Sequence, residues 1–239
     1  MCGRFSLTKE EAEIEKRFNA KFYSNDLIKR YNVAPGQLAL VITNEKPEEL
    51  QLFKWGLVPS WAEEPKIGYK MINAKSETIF EKPSFRNLVK KRRCLVVSDG
   101  FYEWKPLAGK HKQPYRILLK GAGLFAYAGL WDAWTDKATG EIMNTFTVIT
   151  TDANELVAPI HDRMPVILHQ EDERKWIGSD LKQEEIAAMM KPIETSMIEV
   201  YPVSDRVNSP VNDDESLLLP VREETTGKIN HNPQTNLFD

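Results

Sequence analysis

Short runs of apolar and β-branched residues recur along the chain, and Gly, Pro or charged residues separate them. This pattern is typical of β-strands, in which alternate side chains are buried. It predicts strands over residues 38–43, 50–57, 94–98, 101–104, 115–119, 124–130, 145–150 and 198–203. Asp99-Gly100, between two of these runs, predicts a hairpin turn.

Helical patterns are fewer and shorter. Thr8 and Glu11 have the spacing of a capping box, which predicts a helix from there to about residue 20. Asp152 is predicted to cap a short helix that ends near residue 158. Further helices are predicted over residues 86–93, 171–176 and 183–190.

Strands that outnumber the helices and are segregated from them predict an α+β fold. We expect one domain over residues 1–224, built on a curved, mostly antiparallel β-sheet system. Residues 225–239 are polar and rich in Thr, Asn and Pro, which predicts a C-terminal tail.

Composition narrows the function classes. The formal net charge of −3 gives no support to a nucleic-acid partner, so any such site must be a local basic patch. The densest positive charge, in residues 86–93, is either a solvated face or a phosphate contact. No stretch approaches the roughly 20 apolar residues of a membrane span, so we expect no membrane contact and a cytoplasmic protein, nucleoid-associated if bacterial. We also expect a monomer.

The two cysteines are too few for a disulfide framework. Cys94 opens an apolar run and is predicted to be a buried, reduced thiol. No Cys or His spacing typical of a metal site occurs, so we predict neither a metal nor a cofactor.

Cys2 directly follows the initiator methionine. Aminopeptidases remove that methionine when the next side chain is small, which would leave Cys2 with a free α-amine beside its thiol. Their reference pKa values are about 7.7–8.0 and about 8.5, so both nucleophiles are available near neutral pH. An amine condenses with an aldehyde to a Schiff base, on which the thiol can close a five-membered thiazolidine. Alternatively, Cys2 is a small residue at a frayed terminus.

Four polar residues occupy unusual positions. Asn73 follows two apolar residues, and His161 lies in a turn before an apolar run, where a structural role is the alternative. Glu103 lies between two aromatic residues. If it points inward, burial raises its pKa and suits it to proton transfer; if outward, it is a surface charge. Arg163 either binds a phosphate or pairs with a carboxylate.

Six motifs follow one another along the chain: MCGRF at residues 1–5, RYNVAPG at 30–36, WGLVPSW at 55–61, INAKSET at 72–78, DGFYEW at 99–104 and IHDRMP at 160–165. This series, in this order, resembles the SOS response-associated peptidase (SRAP) family of abasic-site processing proteins, and the resemblance covers roughly residues 2–212. The resemblance implies a barrel-like core with peripheral helices.

The resemblance also implies an activity, the covalent capture of abasic sites in single-stranded DNA. Cys2 would form a thiazolidine with the ring-opened sugar, and Asn73 would hold the sugar and the Cys2 backbone. Glu103 would transfer protons, and His161 would assist sugar ring opening and reversal. The family is also thought able to remove Met1 by itself.

DNA contacts by Arg4, Trp61, Lys75 and Arg163 are implied in the same way. Many family members have Arg where this chain has Lys75, which keeps the charge but not bidentate phosphate binding. The family often has a second tryptophan where this chain has Ala62, which removes one stacking or wedge contact.

Two other functions remain open at this stage. One is a cysteine peptidase acting on other proteins, with the Cys2 thiolate as nucleophile and His161 as base. The other is a single-stranded DNA-binding module without a covalent step. Separately, Gln234, Leu237 and Phe238 fit the Q-x-x-L-F pattern of peptides that bind the bacterial replicative sliding clamp. That pattern also arises by chance, or in a tail that folds back onto its domain.

Overall fold

The computed structural model describes residues 2–24, 27, 29–109 and 111–222. Met1, the predicted tail and its clamp-like motif lie outside the described residues. The α-helices are α1 (Glu11–Phe18), α2 (Leu88–Lys91), α3 (Gln170–Trp176) and α4 (Gln183–Met189). The strands are β1 (Phe5–Leu7), β2 (Lys21–Phe22), β3 (Arg30–Val33), β4 (Leu38–Thr43), β5 (Lys46–Trp55), β6 (Asn73–Lys75), β7 (Arg93–Ser98), β8 (Gly100–Pro106), β9 (Lys112–Leu119), β10 (Phe125–Thr135), β11 (Ile142–Asp152), β12 (Arg163–Pro165) and β13 (Ile198–Pro202).

Five strands close into a barrel. Antiparallel pairing joins them in the order β11-β10-β7-β4-β5. A parallel pairing of β5 with β11, through Lys54↔Thr145 and Trp55↔Phe146, closes the ring. β6 continues beyond β5 along the same edge of β11, with Asn73 opposite Val148. β12 pairs with the end of β11. This arrangement confirms the predicted α+β domain with a curved, mostly antiparallel, barrel-like core.

A second sheet, antiparallel throughout, has the order β13-β9-β8-β1-β3. Alternation along the barrel strands separates two apolar cores. On β7, Leu95 and Val97 pack in the core that also contains α1 and α3 residues. Cys94 and Val96 face the other core, which contains Phe5 and Phe101 from the second sheet and other aromatic residues. The predicted burial of Cys94 is confirmed, since its side chain is 0% exposed.

The predicted hairpin at Asp99-Gly100 is wrong. β7 pairs with β10 and β4, whereas β8 pairs with β1 and β9, so the chain crosses from one sheet to the other at this point. The Asp99 side chain is buried and accepts hydrogen bonds from the Ser6 hydroxyl (2.6 Å) and from the Thr8 N–H (2.6 Å). A residue that normally marks an exposed turn therefore anchors β1 instead.

Two predicted helix starts are also wrong. The Thr8 hydroxyl donates to Asp99 instead of capping a helix, and α1 begins only at Glu11. Asp152 ends strand β11 opposite Arg163, and the residues after it form turns in place of a helix. There the Asn154 side-chain oxygen accepts the Val157 N–H at 3.0 Å.

The last described segment, residues 203–222, covers one face of the second sheet. Val203, Val207 and Leu217 pack there against Tyr102 of β8. Because side chains alternate along β8, this packing directs Glu103 to the opposite face. None of the helices in the described ranges is long and apolar enough to cross a membrane.

Candidate active site

Cys2 is buried at the entry to β1, with only 4% of its surface exposed. Phe5 of β1 pairs with Phe101 on one side and Val33 on the other, and the Tyr102 N–H donates to the Arg4 carbonyl at 3.0 Å. These backbone contacts tie down the segment that follows Cys2. The frayed-terminus interpretation is therefore wrong. The Cys2 side chain lines a narrow cleft between the two sheets.

Asn73 joins β6 to the Cys2 backbone. Its side-chain amide donates a hydrogen bond to the Cys2 carbonyl oxygen at 3.0 Å. The amide oxygen of Asn73 is buried and has no hydrogen-bond partner among the described residues. Buried polar atoms are normally paired, so this oxygen is available to a donor on a bound molecule.

Glu103 points inward, and its carboxyl lies against the Cys2 thiol. The residue is 1% exposed, and its Oε1 atom has no hydrogen-bond partner in the described part of the chain. Burial raises the pKa of the Glu103 carboxyl, and the nearby His161 partly opposes this shift. Of the two orientations that the sequence left open, the structure has the inward one.

The Cys2 thiol and the Glu103 carboxyl form a coupled pair. Burial raises the pKa of the thiol well above its usual value, and the neighbouring Glu103 carboxylate raises it further. The thiol is therefore neutral at physiological pH, and the carboxylate beside it is placed to take its proton. Sγ also lies 3.9 Å from the carbonyl oxygen of Arg163.

His161 lies in the turn that leads into β12. Its Nδ1 atom is 3.0 Å from the Arg163 N–H donor and 3.0 Å from a carboxylate oxygen of Asp162. A backbone N–H can only donate, so in the neutral imidazole Nδ1 accepts this bond and the proton resides on Nε2.

The family model described as SOS response associated peptidase (SRAP) matches residues 1–210. This chain belongs to the SRAP family.

Members of the SRAP family with similar sequences come from bacteria and vertebrates. The chain is 44% identical over 222 residues to the abasic site processing protein YoqW of Bacillus subtilis, covering 91% of this chain and 99% of that protein. It is 37% identical over 192 residues to the abasic site processing protein HMCES of Gallus gallus, covering 70% of this chain and 56% of the relative. A crystal structure of a Bacteroides thetaiotaomicron protein superposes with a TM-score of 0.85 at 34% identity, covering 92% of this chain and 100% of that one.

Arg163 of this SRAP chain is enclosed by acceptors. Its guanidinium donates to both carboxylate oxygens of Glu77 (2.7 and 3.0 Å), to Asp152 (2.6 Å) and to the Thr150 carbonyl (2.7 Å). These carboxylates raise the pKa of Arg163 even though burial acts in the opposite direction. A phosphate contact by Arg163, as predicted from the sequence, therefore requires exchange of a carboxylate for a phosphate.

The other residues that were predicted to contact DNA differ in how firmly contacts within the protein hold their side chains. Arg4 donates to the Asn32 side-chain oxygen (2.8 Å) and to the Val207 carbonyl (2.7 Å), so it is half-buried and fixed. Lys75 is exposed at the end of β6 and forms no ion pair with a described residue. Trp61 is 60% exposed.

The loop that presents Trp61 is fastened on both sides. The Ser60 N–H donates to Asp132 at 2.8 Å, and the Trp134 indole N–H donates to the Ala62 carbonyl at 2.7 Å. Ala62 is buried and packs in a small apolar cluster with Val58 and Trp134.

Two contributors to the SRAP site were missed from the sequence. Glu77 lies inside the 72–78 motif, but only the structure pairs it with Arg163. Asp152 was assigned to a helix cap, although it is the second carboxylate on Arg163. The sequence signal that could have found these residues was position within a family motif, and only Glu77 lies within one. Within the described ranges, no cluster of His, Cys, Asp and Glu could hold a metal ion.

Proposed function

We propose that this SRAP protein captures abasic sites in single-stranded DNA as a covalent adduct of Cys2. The observation that carries the proposal is the burial of Cys2, the second residue of the chain, beside the inward-facing Glu103 carboxyl and Asn73. Relatives that are 44% and 37% identical bear the name abasic site processing protein, which supports the same substrate.

The reaction begins after removal of Met1, when the Cys2 amine is free. The amine attacks the C1′ aldehyde of the ring-opened abasic sugar, and loss of one water gives a Schiff base. The thiol sulfur then adds to the same carbon, and its proton passes through the Glu103 carboxylate to the nitrogen, which closes the thiazolidine. The balance is aldehyde plus aminothiol to ring plus one water. Closure consumes the imine that would otherwise promote β-elimination and strand cleavage.

The polar groups around the cleft have separate tasks in this scheme. Glu103 needs a pKa near neutrality to accept and return a proton, and burial shifts its pKa in that direction. Asn73 holds the Cys2 carbonyl with its amide, and its unpaired oxygen accepts a sugar hydroxyl. His161, with its proton on Nε2, assists opening of the sugar ring and reversal of the adduct.

DNA phosphates contact Lys75 and the exposed edge of Arg4, and Trp61 offers a flat surface for a base. Arg163 acts mainly through its backbone. The Arg163 N–H orients His161, and the Arg163 carbonyl lies against the Cys2 thiol. The ion pair with Glu77 holds the Arg163 side chain in position.

A peptidase that acts on other proteins fits the site less well. The reactive cysteine of such enzymes has a lowered pKa, whereas burial and Glu103 raise the pKa of Cys2. Cleavage of the Met1–Cys2 bond by the protein itself is part of the proposal, because the group cleaved would lie at the same cleft. A purely non-covalent DNA-binding module would have no use for the buried carboxyl, which destabilises the fold.

Intact-protein mass spectrometry tests the proposal. The purified protein is incubated with a single-stranded oligonucleotide that contains one abasic site, and with the same oligonucleotide without the lesion. We expect a protein lacking Met1 whose adduct mass equals protein plus DNA minus one water, for the abasic strand only. Absence of this adduct would exclude covalent capture, and a cleaved protein substrate without a DNA adduct would indicate the peptidase.

A further inference from the structure

A tightly closed loop connects β5 to β6 beside the active site. The Leu57 N–H donates to the Met71 carbonyl at 3.1 Å, which joins the two ends of the loop. Gly56 and Gly68 touch through their backbones, since a Cβ atom on either would lie 2.7 Å from the carbonyl oxygen of the other. The loop is therefore held at its base and presents its outer residues on a fixed support.

The outer residues of this loop include two exposed aromatic rings. Tyr69 is 67% exposed, more than Trp61 on the same loop. Most of the surface of Tyr69 is therefore accessible to a bound molecule. The Tyr69 hydroxyl group has no hydrogen-bond partner among the described residues.

Tyr69 borders a narrow cleft beside β5, too small to enclose a base. Among the described residues that line this cleft, Lys54 is the only charged one. The two acidic residues of the loop, Glu63 and Glu64, line the separate hollow beside Trp61. The Tyr69 ring rests near the Gly36 backbone, where an added Cβ would lie 3.5 Å from the ring.

The position of this cleft relates it to the active site. The buried Trp55 side chain lines the Cys2 cleft on one side and the Tyr69 cleft on the other. Its indole N–H donates to the Ile72 carbonyl at 2.9 Å, immediately before Asn73. The two clefts therefore share the Trp55 side chain, which places Tyr69 next to the active site.

We propose that Tyr69 stacks on the base adjacent to the abasic nucleotide, with Lys54 facing the backbone of that strand. The inference rests on the proposed function and adds a second base-binding position to it. A nucleotide fits this surface better than a polar protein loop does, because its base can stack on the flat Tyr69 ring and its phosphate can face Lys54. Because stacking uses the face of the base and no directed hydrogen bond, this position has no sequence preference.

Fluorescence anisotropy with undamaged single-stranded DNA tests the stacking directly. Tyr69→Ala should weaken binding about 5- to 150-fold, the range for loss of one base–aromatic stack, and Tyr69→Phe should restore it. Tyr23, which is 78% exposed immediately after the edge strand β2, supplies the matched control Tyr23→Ala, with unchanged affinity. Equal affinities of Tyr69→Ala and the unmodified protein would overturn the inference and leave this surface to a protein partner.

A second experiment assigns the stacked base. Crosslinking is measured on abasic strands in which the 5′ or the 3′ neighbour also lacks its base. If Tyr69 stacks on that base, its removal and Tyr69→Ala should have non-additive effects on one side of the lesion. Additive effects on both sides would overturn the assignment. If the unmodified protein forms no crosslink while Tyr69→Ala still weakens binding, the covalent mechanism fails and the base-binding role stands.

Discussion

The Asn73 side-chain amide donates to the Cys2 carbonyl oxygen at 3.0 Å, although 71 positions separate the two residues. Asn73 is held in turn by the parallel pairing of β6 with β11, opposite Val148. Cys2 is thereby connected to the closed barrel. A group at a chain terminus normally moves freely, and this connection gives Cys2 a fixed orientation toward Glu103.

Cys2→Ser separates the amine from the thiol. The serine variant retains a small N-terminal residue and a free amine, so it should form a Schiff base but no stable ring. We expect a DNA adduct after borohydride reduction and none without reductant, as resolved on denaturing gels. Cys2→Ala is the matched control and should behave in the same way. A heat-stable adduct of Cys2→Ser without reductant would contradict thiazolidine formation.

Glu103→Gln keeps the shape of the side chain and removes its capacity to transfer a proton. Crosslinking should therefore slow about 10²- to 10⁴-fold, the usual contribution of one acid–base group. Single-turnover kinetics with abasic DNA measure this rate. Affinity for undamaged single strands, measured in parallel, should change little. A rate equal to that of the unmodified protein would make Glu103 structural.

The same substitution should stabilise the fold in a pH-dependent way. Burial raises the pKa of Glu103 above its ordinary value of 4.5, so the folded state binds the proton more tightly than the unfolded state. The stability of the unmodified protein should therefore fall as the pH rises from about 4.5 through the raised pKa. Glu103→Gln has no carboxyl group at this position to ionise, so it should not lose stability in this way as the pH rises.

Thermal denaturation at several pH values measures this difference. Tm of Glu103→Gln should exceed that of the unmodified protein by about 2–10 °C at pH 8, because an unpaired buried polar group costs about 1–3 kcal/mol. The difference should shrink below pH 4.5, where the carboxyl is neutral in both states. A lower Tm for the variant at pH 8 would show that the carboxylate is satisfied in the fold.

Salt dependence distinguishes phosphate contacts from positioning residues. Lys75 is exposed and unneutralised, so Lys75→Ala should reduce the slope of log K against log salt by about 0.7 for single-stranded DNA. Arg163→Ala should change the slope less, because Glu77 and Asp152 already neutralise this guanidinium. Lys120→Ala, an exposed lysine just after β9, is the control for net charge. A larger slope change for Arg163→Ala than for Lys75→Ala would establish Arg163 as the phosphate contact.

The C-terminal motif is tested apart from the domain. A peptide of residues 227–239 is titrated into a bacterial sliding clamp in a calorimeter. If the motif is a clamp ligand, Leu237 and Phe238 provide the apolar anchor and Gln234 a polar contact at its rim. Heat of binding that disappears on Leu237→Ala with Phe238→Ala would support the interaction. No heat at high-micromolar clamp concentration would end the hypothesis.

The amino-acid sequence by itself determined the local features of this protein. Apolar runs located β4, β7, β9, β10 and β11 to within about five residues, because strands that are buried on both faces consist of nearly continuous apolar residues. The six motifs identified the family through their residues and their order along the chain. The chemistry of Cys2 also followed from its position, because only an N-terminal cysteine carries both an amine and a thiol.

Tertiary structure alone decided which elements meet. Asp99-Gly100 has the local sequence of a hairpin, yet its flanking strands join different sheets because Asp99 pairs with Ser6 and Thr8. The inward direction of Glu103 depends on packing of the 203–222 segment over Tyr102. The enclosure of Arg163 depends on Glu77 and Asp152, which are 86 and 11 positions away. Strand partners and buried charge pairs form between distant segments, and local sequence patterns contain no information about that pairing.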